Sequence, residues 1–272
     1  MNKFLGLKKE IEMNTKENLH FWNYYDEICV ISIKNSDFKQ IQKNLSKVGI
    51  NKFKFFIFNT PKKIINTGPK EMSFSEILIQ DYCDGTCQNI INNHIYIIKK
   101  YHREKKKNIL ILEDDIDFIN VKNNVLQAKV NFLKNNNWDI FFLGYIQYPI
   151  LMSFLIRKNI VKLTNPLGLQ AYCLSRKGMK KILDFFSKTL DKQYPAQIDF
   201  IYNKIPNFSK YGICPSIAYQ SRSPGIYKTF QEKCIPFKYI LFNKLSYLFE
   251  FIGLFVPILI IIILYMIFKS LT

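Results

Sequence analysis

Arginine is scarce in this 272-residue chain: Arg103, Arg157, Arg176 and Arg222 are four among 39 basic residues. The planar guanidinium fork is the group best suited to reading base edges or gripping phosphate. A net charge of +18 carried almost wholly by lysine therefore argues against specific nucleic-acid recognition. Lys, Asn, Ile, Phe and Tyr are abundant together, as an AT-rich coding sequence produces without selection for a partner, and attraction to anionic lipid or nucleotide is a secondary consequence. Histidine is rarer still, at three, which leaves a two-metal nuclease short of ligands. Glycine and proline number ten each and concentrate nowhere, so no linker divides the chain, and no internal repeat is present. A disordered polycation is also excluded. With 48% hydrophobic residues, including 24 Phe and 16 Tyr, the chain can build one sizeable core.

The first 14 residues lack the apolar core of a signal sequence. Residues 251–268 (FIGLFVPILIIIILYMIF), by contrast, form an uncharged run of 18, and residues 245–249 can lengthen it. That is about the minimum for a bilayer helix, and the run has no polar face beyond Tyr265, whereas a helix in a globular core needs one. The expectation is a C-terminal span, as in a tail-anchored protein. Lys228, Lys233, Lys238 and Lys244 precede the run and only Lys269 follows it, so the positive-inside rule places the larger part in the cytoplasm. In that compartment Cys29, Cys83, Cys87, Cys173, Cys214 and Cys234 are expected as free thiols, and the sequons at Asn44 and Asn207 as unused. Cys83 and Cys87 in CDGTC are one residue too far apart for a dithiol redox motif.

Between the ends, strands alternate with helices. Residues 28–33 (ICVISI) read as a strand, followed by Ser36 as an N-cap, then Phe38, Ile41, Leu45 and Val48 at helical spacing, with Gly49 as the stop. A second strand follows at 53–58. Ser73 and Glu76 form a capping box for a short helix, and Cys87, Ile90, Ile91, His94, Ile98 and Tyr101 share one face of the next. Residues 109–112 are apolar without alternation, which marks a strand buried on both faces. Residues 139–144 repeat that pattern. A last strand at 169–174 runs into a helix capped by Ser175, with Met179, Ile182, Leu183 and Phe186 expected inside. The sum is a single α/β domain.

The chemistry concentrates where the central strand ends, in Glu113, Asp114, Asp115 and Asp117. In an extended chain Glu113, Asp115 and Asp117 share one face, and a cation among them relieves their repulsion. Hard oxygen ligands select Mg or Mn, and open α/β sheets bind ligands at the carboxyl ends of their strands. The bland alternative is a solvated acidic turn. His94, on an apolar helix face, reads as a core histidine hydrogen-bonded to backbone rather than as a metal ligand.

ILILEDDIDF resembles the "LEDD" segment of glycosyltransferase family 25, the lipopolysaccharide-type and procollagen galactosyltransferase-like enzymes of GT-A fold. ICVISIKNSD resembles that family's opening strand, and WDIFFLG at 138–144 the strand after the acidic motif. LQAYCLSRKGMKKIL at 169–183 resembles its strand-to-helix segment, and QIDF at 197–200 its later acidic position. Together these cover residues 26–224. Three positions depart from the pattern: no Arg follows Asp37, Asn93-His94 replaces a Ser-His pair, and Gln170 replaces a His.

The resemblance implies a GT-A-like, Rossmann-like mixed sheet, mostly parallel, with flanking helices. It implies a hexosyltransferase moving sugar from a nucleotide sugar, a UDP-sugar foremost, to a hydroxyl of a glycan, lipid or protein acceptor. Asp115, with Asp117 or Glu113, would hold a divalent Mn or Mg against the diphosphate. Asp114 would meet ribose hydroxyls or make a structural bond, Glu113 would assist at the donor, and Arg176 would reach the diphosphate. Asp199 is the candidate base, with Asp139 behind it, and a helix N-terminal charge is the other reading of Asp199. The layout expected is an N-terminal extension (1–25), the transferase domain (26–224), a basic juxtamembrane segment (225–244), a membrane helix (245–268) and a tail (269–272). The rivals are an inactive membrane scaffold of the same fold and a membrane-tethered metal nuclease.

Overall fold

The computed structural model describes residues 7–14, 20–33, 36–59, 85–118, 123–147, 154–157, 160–189, 198–213, 216–220 and Met266. In chain order the elements are β1 (Leu7–Asn14), a 3-10 turn (Trp22–Tyr24), β2 (Glu27–Ile33), α1 (Phe38–Lys47), β3 (Lys52–Phe58), α2 (Gly85–Arg103), β4 (Asn108–Glu113) and β5 (Ile116–Phe118). They continue as α3 (Asn123–Asn135), β6 (Ile140–Gln147), β7 (Phe154–Arg157), β8 (Ile160–Lys162), β9 (Pro166–Ser175), α4 (Arg176–Thr189), α5 (Ile198–Asn203), β10 (Lys210–Ile213) and β11 (Ala218–Gln220).

Nine strands form one mixed sheet in the order β1-β3-β2-β4-β9-β6-β10-β8-β7, and β11 pairs with β5 in a separate ribbon. β2, β3, β4, β6, β7 and β10 point one way, while β1, β8 and β9 point the other. β9 lies antiparallel between β4 and β6. Strand alternation sorts the core into two layers. Leu110 and Leu112 of β4 and Val30 of β2 pack with Ile41 and Leu45 of α1 and with Leu126, Val130 and Leu133 of α3. Ile109 and Ile111, with Cys29 and Ile31, pack on the other face against Ile91, Ile98 and Tyr101 of α2, Met179, Ile182 and Phe186 of α4, and Ile201 of α5. A strand covered on both faces has no place for a polar side chain, which is why β4 reads ILIL without alternation.

The parallel order β3-β2-β4 places the topological switch point between the carboxyl ends of β2 and β4, because β2 leads through α1 to a neighbour on one side and β4 joins it on the other. Residues 7–14 and 20–25, expected as an extension, belong to the fold. β1 pairs along β3, and Phe21, Trp22 and Tyr25 enter the core, with the Trp22 indole donating to the Val48 carbonyl at 2.7 Å.

The N-cap of α1 is Asp37, whose carboxylate accepts from Gln40 N at 3.1 Å, so Ser36 is released from the capping role expected of it. Gly49 stops that helix at φ 81°, a conformation only glycine adopts without strain. Ser175 caps α4 by accepting from Gly178 N. Ile90, on the shared face of α2, is 40% exposed, and Leu183, expected inside, is only partly buried. Cys29 and Cys173 are free, buried thiols. The Ser73–Glu76 capping box, Cys83, Cys214, Cys234, the basic segment 225–244 and the apolar run 251–268, except Met266, lie outside the described residues. Among the described residues no helix is long and apolar enough to cross a membrane.

Candidate active site

β4 delivers the acidic motif to the switch point, and the strand's own alternation then separates the carboxylates. Glu113 follows Ile109 and Ile111 onto the α2 face, where its Oε1 lies 3.7 Å from His94 Nε2. Asp114 turns to the α1 face and accepts from both Ser32 Oγ, at 3.3 Å, and Ser36 Oγ. Asp114 thus ties the end of β4 to the end of β2 across the crevice. Of its two expected roles, the structure displays the structural hydrogen bond.

The chain turns at Asp114 and Asp115 before entering β5. That turn breaks the extended run in which Glu113, Asp115 and Asp117 were expected to share a face. Asp115 keeps its Oδ1 sealed from solvent. Asp117 accepts from Phe118 N at 2.8 Å and from the Tyr219 hydroxyl at 3.1 Å, directly across the β5–β11 ribbon. Gln220, one residue further, donates from Nε2 to Glu113 Oε2 at 2.8 Å. Among the described residues no three His, Cys, Asp or Glu side chains converge to enclose a metal ion. A divalent ion at this turn would have to take most of its ligands from a bound molecule such as a diphosphate.

β11 is seated by close backbone approach. A Cβ on Gly144 of β6 would stand 2.3 Å from the Ala218 carbonyl oxygen and 2.9 Å from Gln170 Nε2. Gln170 is buried between Gly144 and Gly168, and Gly168 (φ 84°) donates its N–H to Asp199 Oδ2 at 3.0 Å. Asp199, in the first turn of α5, is therefore carried to the end of β9 that flanks the carboxyl end of β4. It is the expected base that the fold brings to this side of the sheet.

Two other expected residues are not brought there. Asp139 precedes β6 and so lies at the amino end of the parallel strands, fully buried, with Lys181 Nζ at 2.6 Å and Ser209 N at 2.8 Å. Its role is an internal ion pair. Arg176 follows β9, whose last residue, Ser175, pairs with Asn108 at the start of β4. Arg176 lines a polar cleft of about 710 Å³ at that far end with Lys107, Lys134, Trp138 and Lys177, one β4 length from the acidic turn.

His94 is fully buried, as its helix face required, but its partner is a side chain: Nδ1 lies 2.6 Å from the Tyr172 hydroxyl, with the rings stacked. Burial first, then the neighbouring Tyr202 and the Glu113 charge, hold the Tyr172 hydroxyl well above its ordinary pKa, so it keeps its proton. Tyr172, Ser32, Tyr219 and Gln220 were not among the expected site residues. Ser32 carried a signal, as the polar residue near the end of an apolar strand. Tyr219 and Gln220 carried none, because a three-residue strand that pairs across a hundred positions leaves no local pattern.

No protein-family model and no curated protein matches the chain. Several solved structures are similar to it at low levels. A197 from STIV is 12% identical over 72% of this chain and 86% of that one, with a TM-score of 0.39. A glycosyltransferase involved in the glycosylation of the major capsid of PBCV-1 is 12% identical over 69% and 80%, at 0.33. The nucleoside-diphosphate-sugar pyrophosphorylase from Vibrio cholerae RC9 is 11% identical over 78% and 84%, at 0.35. These scores fall below the level at which a shared fold follows.

Proposed function

We propose that the chain is a glycosyltransferase of GT-A-like fold that binds a nucleotide sugar at the crevice between the carboxyl ends of β2 and β4 and transfers the sugar to a hydroxyl of a glycan, lipid or protein acceptor. The observation that carries this reading is the placement of the Glu113–Asp117 turn at the topological switch point, where open α/β sheets receive their ligands. The sequence resemblance to family 25 converges on the same turn.

In this reading Asp115 and Asp117 would hold a divalent Mn or Mg against the donor diphosphate, and a bound ion would supply positive charge for the leaving group. Gln220 and His94 orient Glu113 toward the donor, while Asp114 fixes the crevice width through Ser32 and Ser36. Asp199, whose Oδ2 accepts from Gly168 N, is the base that takes the acceptor hydroxyl's proton. The apolar run 251–268 tethers the domain to a membrane with the domain on the cytoplasmic side.

The hydrogen bonds that Asp117 already accepts from Phe118 N and Tyr219 favour one second reading, a scaffold that keeps the shape without turnover. A calorimetric screen of nucleotide sugars with and without Mn separates the two. Metal-dependent binding followed by sugar release to water or acceptor supports the transferase, and no binding by any donor supports the scaffold.

A further inference from the structure

We infer that His94 and Tyr172 are positioning residues for Glu113, a buried two-step hydrogen-bond chain that aims its carboxylate at the crevice; as a statement about ligand binding, this rests on the proposed donor site. Both side chains are fully enclosed. His94 occupies a helix face otherwise made of Ile91, Ile98 and Tyr101, where a polar ring is costly unless its nitrogens are used.

One nitrogen is used: the Tyr172 hydroxyl lies 2.6 Å from Nδ1. Nε2 faces a carboxylate oxygen, which accepts and does not donate, so the tautomer that serves both nitrogens carries its proton on Nε2 and takes the Tyr172 hydroxyl proton at Nδ1. Among the described residues Nε2 has no hydrogen-bond partner, and it faces Glu113 Oε1 at 3.7 Å, just beyond bonding length. Packing alone does not account for a sealed N–H aimed at a carboxylate.

Glu113 is meanwhile held from the opposite side, by Gln220 Nε2 on its other oxygen. The carboxylate is thus gripped between the core and the β11 ribbon, and a small rotation closes the Nε2 contact when a ligand loads the turn. Tyr172 fixes the tautomer, His94 transmits it, and Glu113 alone meets the ligand.

The test combines ¹⁵N-imidazole NMR of the full chain with calorimetry of UDP plus Mn. Expected is an Nε2-protonated His94 whose Nε2 resonance moves on Glu113→Gln. His94→Leu should weaken UDP binding by about tenfold to a hundredfold. His94→Gln, which keeps an N–H where Nε2 stood, should recover most of that loss. In a Glu113→Gln background His94→Leu should have little further effect, because the two act as one unit. Tyr172→Phe, the milder change if His94→Leu folds poorly, should give mixed tautomers and a smaller loss of binding. An Nε2 that lacks a proton or ignores Glu113→Gln, or losses that add in the double variant, overturns the inference. If the wild type binds no UDP while the NMR coupling is present, the positioning role stands and the donor-site reading fails.

Discussion

Lys181 Nζ lies 2.6 Å from Asp139 Oδ2 and closes an ion pair in which the carboxylate is fully buried and the ammonium a quarter exposed. This pair joins α4 to the start of β6, at the end of the sheet opposite the acidic turn. Removing one partner of a buried pair strands the other charge. Lys181→Met is therefore expected to lower stability by about 3 kcal/mol, seen as an earlier denaturant midpoint. Metal and nucleotide binding should be unchanged in the folded protein, because Asp139 takes no part in the crevice.

The seating of β11 can be tested separately. Gly144→Ala drives a Cβ into the Ala218 backbone, which cannot yield as a side chain can, and should cost about 2–3 kcal/mol while loosening Tyr219 and Gln220 from the acidic turn. Gly212→Ala, whose nearest neighbours are the Tyr145 and Leu163 side chains, should cost less and leave ligand binding intact. Thermal melts of the two variants, with and without UDP and Mn, check both statements.

How much of this arrangement was legible beforehand depended on the range of the interaction. The apolar run of β4, the Gly49 stop and the Ser175 cap are local chemistry, and each appears where the sequence places it. The direction of β9 was not legible, because an apolar strand buried on both faces reads the same parallel or antiparallel, and its reversal is what carries Arg176 to the wrong end. Asp139 misled for a similar reason: a carboxylate beside a strand looks alike at either end, and only the sheet order shows which end faces the crevice. The acidic motif was found as a motif, but the turn at Asp114 and Asp115 dispersed carboxylates that an extended chain would have aligned.

Lys210 gives the fold a pH signature. Burial lowers its pKa from 10.5 to about 8, with Asn203 Oδ1 at 3.1 Å as a neutral partner. Between about pH 8 and 10.5 the unfolded chain holds this proton and the folded one has released it. Stability should therefore rise with pH across that window, by roughly 1–3 kcal/mol. Chemical denaturation at pH 7.5 and 10 should show the rise in the wild type and a flatter profile in Lys210→Met.

The membrane proposal has its own test. Among the described residues the two core layers are built from residues 7–218, and deleting residues 251–272 is expected to leave the melting temperature unchanged. The protein should also move from the carbonate-resistant membrane pellet to the supernatant. A truncated chain that aggregates would show instead that the apolar run completes the fold.

The most direct test of the acidic turn as a metal and diphosphate site is calorimetry of Asp115→Asn with Mn and UDP. The substitution keeps the side chain's size and removes its charge, lowering the negative charge of a turn with four carboxylates in five residues. The apo protein's melting temperature should stay level or rise, while Mn-dependent UDP affinity falls at least a hundredfold and the thermal stabilisation by Mn plus UDP disappears. An Asp115→Asn protein that binds Mn and UDP as tightly as the wild type would contradict the account.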